Sequence, residues 1–264
     1  MWLTKQSSRA FGLLRSLAVY HGIPQRQRRL RQLYSLFAGP GDLTFDIGAH
    51  AGNRTRALAA LGCHVVSLEP QADFARLLRL FFSRHPRVSV IEAAVGDHTG
   101  RATLSISDRS PTMTTLATEW RDARQQDSLF TGVKWNRSVD VKLITLDTLI
   151  ARFGRPAFIK IDVEGAEPQV LAGLTQPVTA LSFEYLPHAL SYTQACVERL
   201  LGLGHYQFNW SSGESYELAS GRWMAGYEVL AALGTPSAQH RSGDVYARLD
   251  RPVQGTQSVA PETG

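Results

Sequence analysis

A chain of 264 residues, 44% hydrophobic and 19% charged, is long enough for one sizeable α/β domain and has an ordinary globular composition. Its two cysteines, Cys63 and Cys196, provide neither a disulfide framework nor a metal spacing and read as free thiols in a reducing compartment; no apolar stretch is long enough to span a bilayer. The net charge of +5 is local: residues 1–41 hold seven basic residues and no acid, which leaves −2 for the remainder and disfavours general nucleic-acid binding.

In chain order, residues 1–40 read as a basic helical arm, with Phe11, Leu14, Leu17 and Ala18, then Leu30, Leu33, Tyr34 and Phe37, at helical spacing on either side of Pro24. An organelle transit peptide and a helix on an anionic membrane surface share this composition. An arm that packs on the domain and lids the cofactor is preferred, because the apolar pattern runs straight into the first core strand. With no apolar signal segment, a cytoplasmic enzyme is the default.

Residues 41–250 read as one cofactor-binding domain. Leu43 to Ile47 is a buried strand, followed by a glycine turn at Gly48 and Gly52 and a helix from Arg54 to Leu61. A second strand, Val65 to Glu69, ends on a carboxylate. Strand, glycine turn, helix, and strand ending in an acid is the layout of a nucleotide-type cofactor site. The turn reads D-x-G-x-x-x-G, from Asp46 to Gly52, where a dinucleotide site reads G-x-G-x-x-G. A carboxylate at Asp46 repels a pyrophosphate and attracts an ammonium, which favours S-adenosylmethionine over NAD. Glu69 is placed to accept hydrogen bonds from both ribose hydroxyls.

Pro70 opens a helix to about Ser83 with Phe74, Leu77, Leu78 and Phe81 on its apolar face. Val88 to Val95 reads as the third strand, which brings Ala94 and Val95 beside the adenine. Ala102 to Ile106 alternates like an edge strand, Ser110 to Thr115 is a polar loop, and Val139 to Leu143 is a short strand. Thr145 is an N-cap for the helix that follows. Phe158 to Ile161 is a buried strand whose C-terminal end carries Lys160 and Asp162, with Glu164 and Glu167 beyond. Charges there are costly unless paired or used, and ligands of open parallel sheets bind at that end. Lys160 and Asp162, two residues apart, face one side. A helix from Pro168 to Leu174 leads to a fifth strand, Thr179 to Glu184, again ending in an acid. His188 follows and ranks below Asp162 as a base. Thr193 to Leu203 is a helix, and Tyr206 to Trp210, Tyr216 to Leu218 and Asp244 to Leu249 read as late strands with an antiparallel pair. Residues 251–264 read as a flexible tail.

The segments Asp46-Ile-Gly-Ala-His-Ala-Gly-Asn53, Leu68-Glu-Pro70, Ala94-Val-Gly-Asp97, Thr145-Leu-Asp147, Ile159-Lys-Ile-Asp-Val-Glu-Gly-Ala-Glu167 and Phe183-Glu184 resemble the FkbM family of S-adenosylmethionine-dependent methyltransferases. The resemblance implies an α/β class I methyltransferase fold, Rossmann-like, with a seven-stranded, mostly parallel sheet and a C-terminal antiparallel hairpin. It implies O-methylation of a hydroxyl on a sugar or secondary metabolite. The cofactor would be held by Asp46, Gly48, His50, Gly52, Asn53, Glu69, Pro70, Ala94 and Val95. At His50 the family more often has Asn.

For catalysis, Asp162 is the first candidate to take or steer the acceptor proton, Lys160 or Glu164 would set its pKa and orientation, and Glu184 would line the pocket. Asp162 and Glu184 also form a minimal site for a divalent cation, so direct base and metal assistance both stand. Two rivals are an NAD-dependent oxidoreductase and a non-catalytic cofactor-fold module that binds a protein partner.

Overall fold

The computed structural model describes residues 24–107, 114–125, 133–235, 238 and 241–250. Three expectations lie outside them: the arm before Pro24, most of the 110–115 loop, and the tail.

The main sheet has seven strands. They are β1 (Leu43–Ile47), β2 (His64–Leu68), β3 (Val88–Ile91), β7 (Phe158–Ile161), β8 (Ala180–Tyr185), β9 (Tyr206–Ser212) and β10 (Gly243–Leu249). Their order is β3-β2-β1-β7-β8-β10-β9. The first five run parallel, and β10 lies antiparallel between β8 and β9. This is the expected class I methyltransferase sheet with its C-terminal hairpin. The helices are α1 (Pro24–Tyr34), α2 (Asn53–Ala60), α3 (Ala72–Phe81), α4 (Thr118–Gln125), α5 (Leu146–Phe153), α6 (Glu167–Ala172), α7 (Leu190–Leu203) and α8 (Gly226–Leu233).

Alternation along the strands sorts residues between two layers. Phe45, Ile47, Ile159 and Ile161 point into the larger core, with residues of α5, α6, α7 and α8. Phe158 points the other way, into a core built with Leu30, Leu33 and Tyr34 of α1 and Ala57 and Leu58 of α2. The Phe158 ring stacks 5.0 Å from Phe37. The helical spacing read at Leu30 to Phe37 is thus a packing face, and Cys63 and Cys196 are buried free thiols.

Three expectations are corrected, and one helix was not expected. Val88 to Val95 is not one strand: β3 stops at Ile91, and β4 (Ala94–Val95) joins a separate three-stranded sheet, order β4-β6-β5, with β5 (Gly100–Ile106) and β6 (Arg137–Ile144). Its two residues pair with Leu143 and Ile144 of β6, where β3 pairs with β2. Tyr216 to Leu218 is no strand, because Tyr216 sits at φ 54, in the left-handed region that breaks an extended run. Phe81 is 46% exposed; Phe74 and Leu78 carry the burial of α3. Helix α8 went unread, and it forms because Val229 and Leu233 bury in the main core. The Thr145 cap is present, its Oγ1 accepting from the Thr148 N–H at 3.0 Å.

Phe158→Ala should cost about 3–5 kcal/mol of stability, the scale for emptying a buried aromatic site. Urea denaturation checks this, and a loss below about 1 kcal/mol would show that α1 closes the gap.

Candidate active site

The C-terminal ends of β1, β2, β7 and β8 open into a cleft of about 300 Å³. Its floor is the turn after β1. Gly48 has φ 80, and a Cβ there would lie 1.9 Å from the Asp162 carbonyl oxygen, so only glycine allows the two strand ends to meet. His50 also has positive φ, 45. Asn and His are both enriched there, which explains how His replaces the Asn expected at this position. The His50 ring packs 4.0 Å from that of Phe74, and burial pulls its pKa down to about 4, keeping it neutral.

Glu69 ends β2, almost fully buried. The His50 N–H donates to its Oε2 at 2.9 Å and the Gln71 N–H to its Oε1 at 2.8 Å. Each oxygen keeps lone-pair capacity toward the cleft, as needed for a ribose diol. Burial pushes the Glu69 pKa up to about 7, against the pull of those two N–H groups. Pro70, Ala94 and Val95 line the cleft, as do the apolar side chains of Leu104 and Leu116.

Asp46 does not face this cleft. It is fully buried, its Oδ2 accepts from the Thr55 hydroxyl at 2.6 Å, and Thr55 in turn bonds Ser67 at 2.8 Å. Burial raises its pKa to about 6. Asp46 therefore holds β1, β2 and α2 together from beneath, and its expected direct attraction of an ammonium is corrected. Gly52 likewise shapes the turn from outside the lining: a Cβ on it would come 2.6 Å from Leu78. Asn53 lines the cleft, and Gln27 of α1 donates to its side-chain oxygen. Among the described residues, none of α1 lines the cleft; the arm reaches its rim through Arg26 and Glu214, 2.5 Å apart.

Lys160 lies beside Asp162, as expected, but beneath the cleft. It is fully buried and does not line the cleft. Its Nζ donates to Asp244 Oδ1 at 2.7 Å and to the Ile161 carbonyl at 3.0 Å. Asp162 Oδ2 is farther, at 3.7 Å. Burial by itself would lower the Lys160 pKa, but Asp244 first and then Asp162 raise it, so it stays charged. Asp244 is buried too; burial would raise its pKa, and Lys160 and Arg54 outweigh that and lower it. Lys160 is a positioning cation under two cleft carboxylates.

Asp162, Glu164 and Glu184 come together as expected. They line the cleft, and one carboxylate oxygen from each lies within 4.8 Å of the others. Glu164 stands at φ 54 and Gly165 at φ 90; a Cβ on Gly165 would meet Trp120 of α4 at 2.4 Å. Glu167 belongs to the scaffold: its Oε1 accepts from the Val163 N–H at 3.0 Å and ties down this turn. Burial, then like charge from Asp162, raises the Glu164 pKa well above the usual range; for Glu184 burial and then Glu164 do the same. The side chain of His188 lies outside the described residues. Sequence reasoning missed Arg54 and Asp244 as cleft residues; Arg54 adjoins the glycine turn, a signal available locally, whereas Asp244 lies far along the chain.

A glycine turn, a buried strand-end acid and apolar lining residues thus meet in one cleft at the C-terminal ends of the parallel strands. The sequence profile of the methyltransferase FkbM domain matches residues 46–198, more than half of the chain. The chain belongs to the FkbM methyltransferase family. Membership makes S-adenosylmethionine the cofactor and removes the NAD-dependent reading. The chain is similar to the 2-O-methyltransferase NoeI of Sinorhizobium fredii (strain NBRC 101917 / NGR234), 26% identical over 165 residues that cover 60% of this chain and 68% of that protein. Among solved structures it is similar to precorrin-6y C5,15-methyltransferase from Geobacter metallireducens GS-15, with TM-score 0.46, 10% identity and 84% and 87% of the two chains covered. It is also similar to the O-methyltransferase from Bacillus cereus in complex with SAH, with TM-score 0.42, 15% identity and 90% of each chain covered. No helix among the described residues is long and apolar enough to cross a membrane.

Two outcomes follow. If ionised Glu69 holds the ribose hydroxyls, S-adenosylhomocysteine affinity should rise from about pH 6 to about pH 8 and then level off, and Glu69→Gln should flatten that profile and weaken binding about tenfold or more. Calorimetric titration across this pH range reads both. Lys160→Met leaves Asp244 buried without its closest partner and should cost about 3–5 kcal/mol in denaturant unfolding.

Proposed function

We propose that this methyltransferase methylates a hydroxyl oxygen, with a sugar or a related polyhydroxylated metabolite as acceptor. The observation that carries the reading is the Asp162, Glu164 and Glu184 cluster on the cleft wall, beside the turn that floors the cofactor site. Similarity to a 2-O-methyltransferase supports oxygen as the acceptor atom.

The acceptor oxygen attacks the sulfonium methyl in line; the C–O bond forms, the C–S bond breaks, and S-adenosylhomocysteine leaves. Alignment supplies much of the rate. The hydroxyl proton must also depart, because a neutral hydroxyl is a weak nucleophile. Asp162 takes it. Among the three carboxyl groups it is the one paired with Lys160, at 3.7 Å, and its side chain is 31% exposed, open to an incoming acceptor. Glu164 and Glu184, whose pKa burial and neighbouring carboxylates raise, orient the acceptor through hydrogen bonds.

The same cluster fits a hard divalent cation, since it offers three oxygen donors of the correct chemistry and spacing, and Glu184 Oε2 is buried with no hydrogen-bond partner among the described residues. Asp162, Glu164 and Glu184 would hold it; when bound, it supplies positive charge that favours deprotonation of the acceptor hydroxyl.

The test is S-adenosylhomocysteine release across a panel of mono- and oligosaccharides, for wild type and Asp162→Asn, with and without EDTA. Asp162→Asn should lower turnover about 10²- to 10⁴-fold and leave S-adenosylhomocysteine affinity within about threefold. Loss of activity in EDTA, restored by Mg²⁺ or Mn²⁺, selects the metal-assisted route; indifference to EDTA selects direct proton transfer to Asp162. Turnover by Asp162→Asn near the wild-type rate would sink both.

A further inference from the structure

The cleft has a lopsided charge. Glu69, Asp162, Glu164, Glu184, Glu214 and Asp244 line it, and among the described lining residues Arg54 is the one permanent cation. His50 is neutral, and Lys160 is buried beneath the floor in its pair with Asp244. S-adenosylmethionine brings an ammonium, a sulfonium and a carboxylate. The first two suit an acidic cleft. The carboxylate is repelled everywhere in it except near Arg54.

Arg54 is built for an anion. It sits in the first turn of α2, directly after the glycine turn that floors the cofactor site. Its Nη2 lies 3.9 Å from Asp244 Oδ2, and its guanidinium carbon lies 5.6 Å from the centre of the Tyr216 ring. These contacts hold the fork in place. Its Nη1 is shielded from solvent and makes no hydrogen bond to a described residue. A buried guanidinium N–H without an acceptor is costly, and a carboxylate is the acceptor whose planar geometry matches the fork. The positive end of α2 adds to the attraction.

We infer that Arg54 anchors the carboxylate of the methionine end of the cofactor, while the ammonium of that end faces the acidic wall. Arg54 is a cofactor-positioning residue: it sets how far the sulfonium methyl reaches toward Asp162. The inference rests on S-adenosylmethionine as cofactor and adds to it the orientation of the tail.

The experiment titrates the full chain with two probes, S-adenosylhomocysteine and 5′-methylthioadenosine, which shares the adenosine and thioether but lacks the amino-acid end. The proteins are wild type, Arg54→Met and Arg54→Lys, with thermal unfolding of each as the fold check. Arg54→Met should weaken S-adenosylhomocysteine about 10- to 100-fold and change 5′-methylthioadenosine less than about threefold; Arg54→Lys should fall between. If Arg54→Met fails to fold, Arg54→Gln, which keeps a polar side chain beside Asp244 and leaves the Lys160–Asp244 pair intact, takes its place, and the same selective loss is expected from it. Equal loss of both probes, or no loss of either, overturns the inference while the cofactor assignment stands. A wild-type protein that binds neither probe overturns the cofactor assignment itself, and the inference with it.

Discussion

The Lys160–Asp244 ion pair is the constraint on which the rest of the site depends. It joins β7 to β10, two strands that do not touch in the sheet, across β8. It lies in a polar row that crosses the sheet in register: Ser67, Asp46, Lys160, Ser182, Tyr246 and Asn209 are successive neighbours on β2, β1, β7, β8, β10 and β9. All six are buried. A charge so placed must be paired or it destabilises the fold, and pairing it with Asp244 decides where the second half of the molecule sits. The pair costs desolvation and returns positional specificity, because only one register of β10 against β8 puts Asp244 over the ammonium.

One step further along each strand, the same face carries the chemistry. Asp162 lies two residues beyond Lys160, Glu184 two beyond Ser182, and Gly48 two beyond Asp46. The structural row therefore supports a functional row, and the alternation of a β-strand couples them. Lys160 offsets part of the repulsion among the cleft carboxylates without entering the cleft. Backbone strain is spent here too: His50, Glu164 and Tyr216 hold positive φ, and the first two line the cleft.

What could be read before the fold was known depended on distance along the chain. The Asp46–Gly52 turn and Glu69 lie within one strand-turn-helix-strand unit, so spacing alone placed a strand-end acid beside a glycine turn. The Thr145 cap and the buried strand at Phe158 are equally local. The charges of the 157–167 segment were legible as an unusual cluster, but their division was not. Asp162 and Glu164 face the cleft, Glu167 ties down its own turn, and Lys160 turns to a residue 84 positions away. Asp46 was misread for a related reason: a carboxylate at a strand end points to one face or the other, and its neighbours Thr55 and Ser67 determine which.

By itself, then, the sequence carried the motifs by which it resembles its family, and with the resemblance the cofactor and the class of sheet; short-range motif spacing also placed residues that meet at the strand ends. Only the tertiary structure decided which charges are partners and which are free to act. It paired Lys160 with Asp244, turned Asp46 under the floor, set Arg54 as the cleft's cation among the described residues, and left three carboxyl groups together on the cleft wall. The physical reason is that a buried charge is governed by its nearest counter-charge in space, and in a mixed sheet closed by an antiparallel strand that partner comes from the far end of the chain.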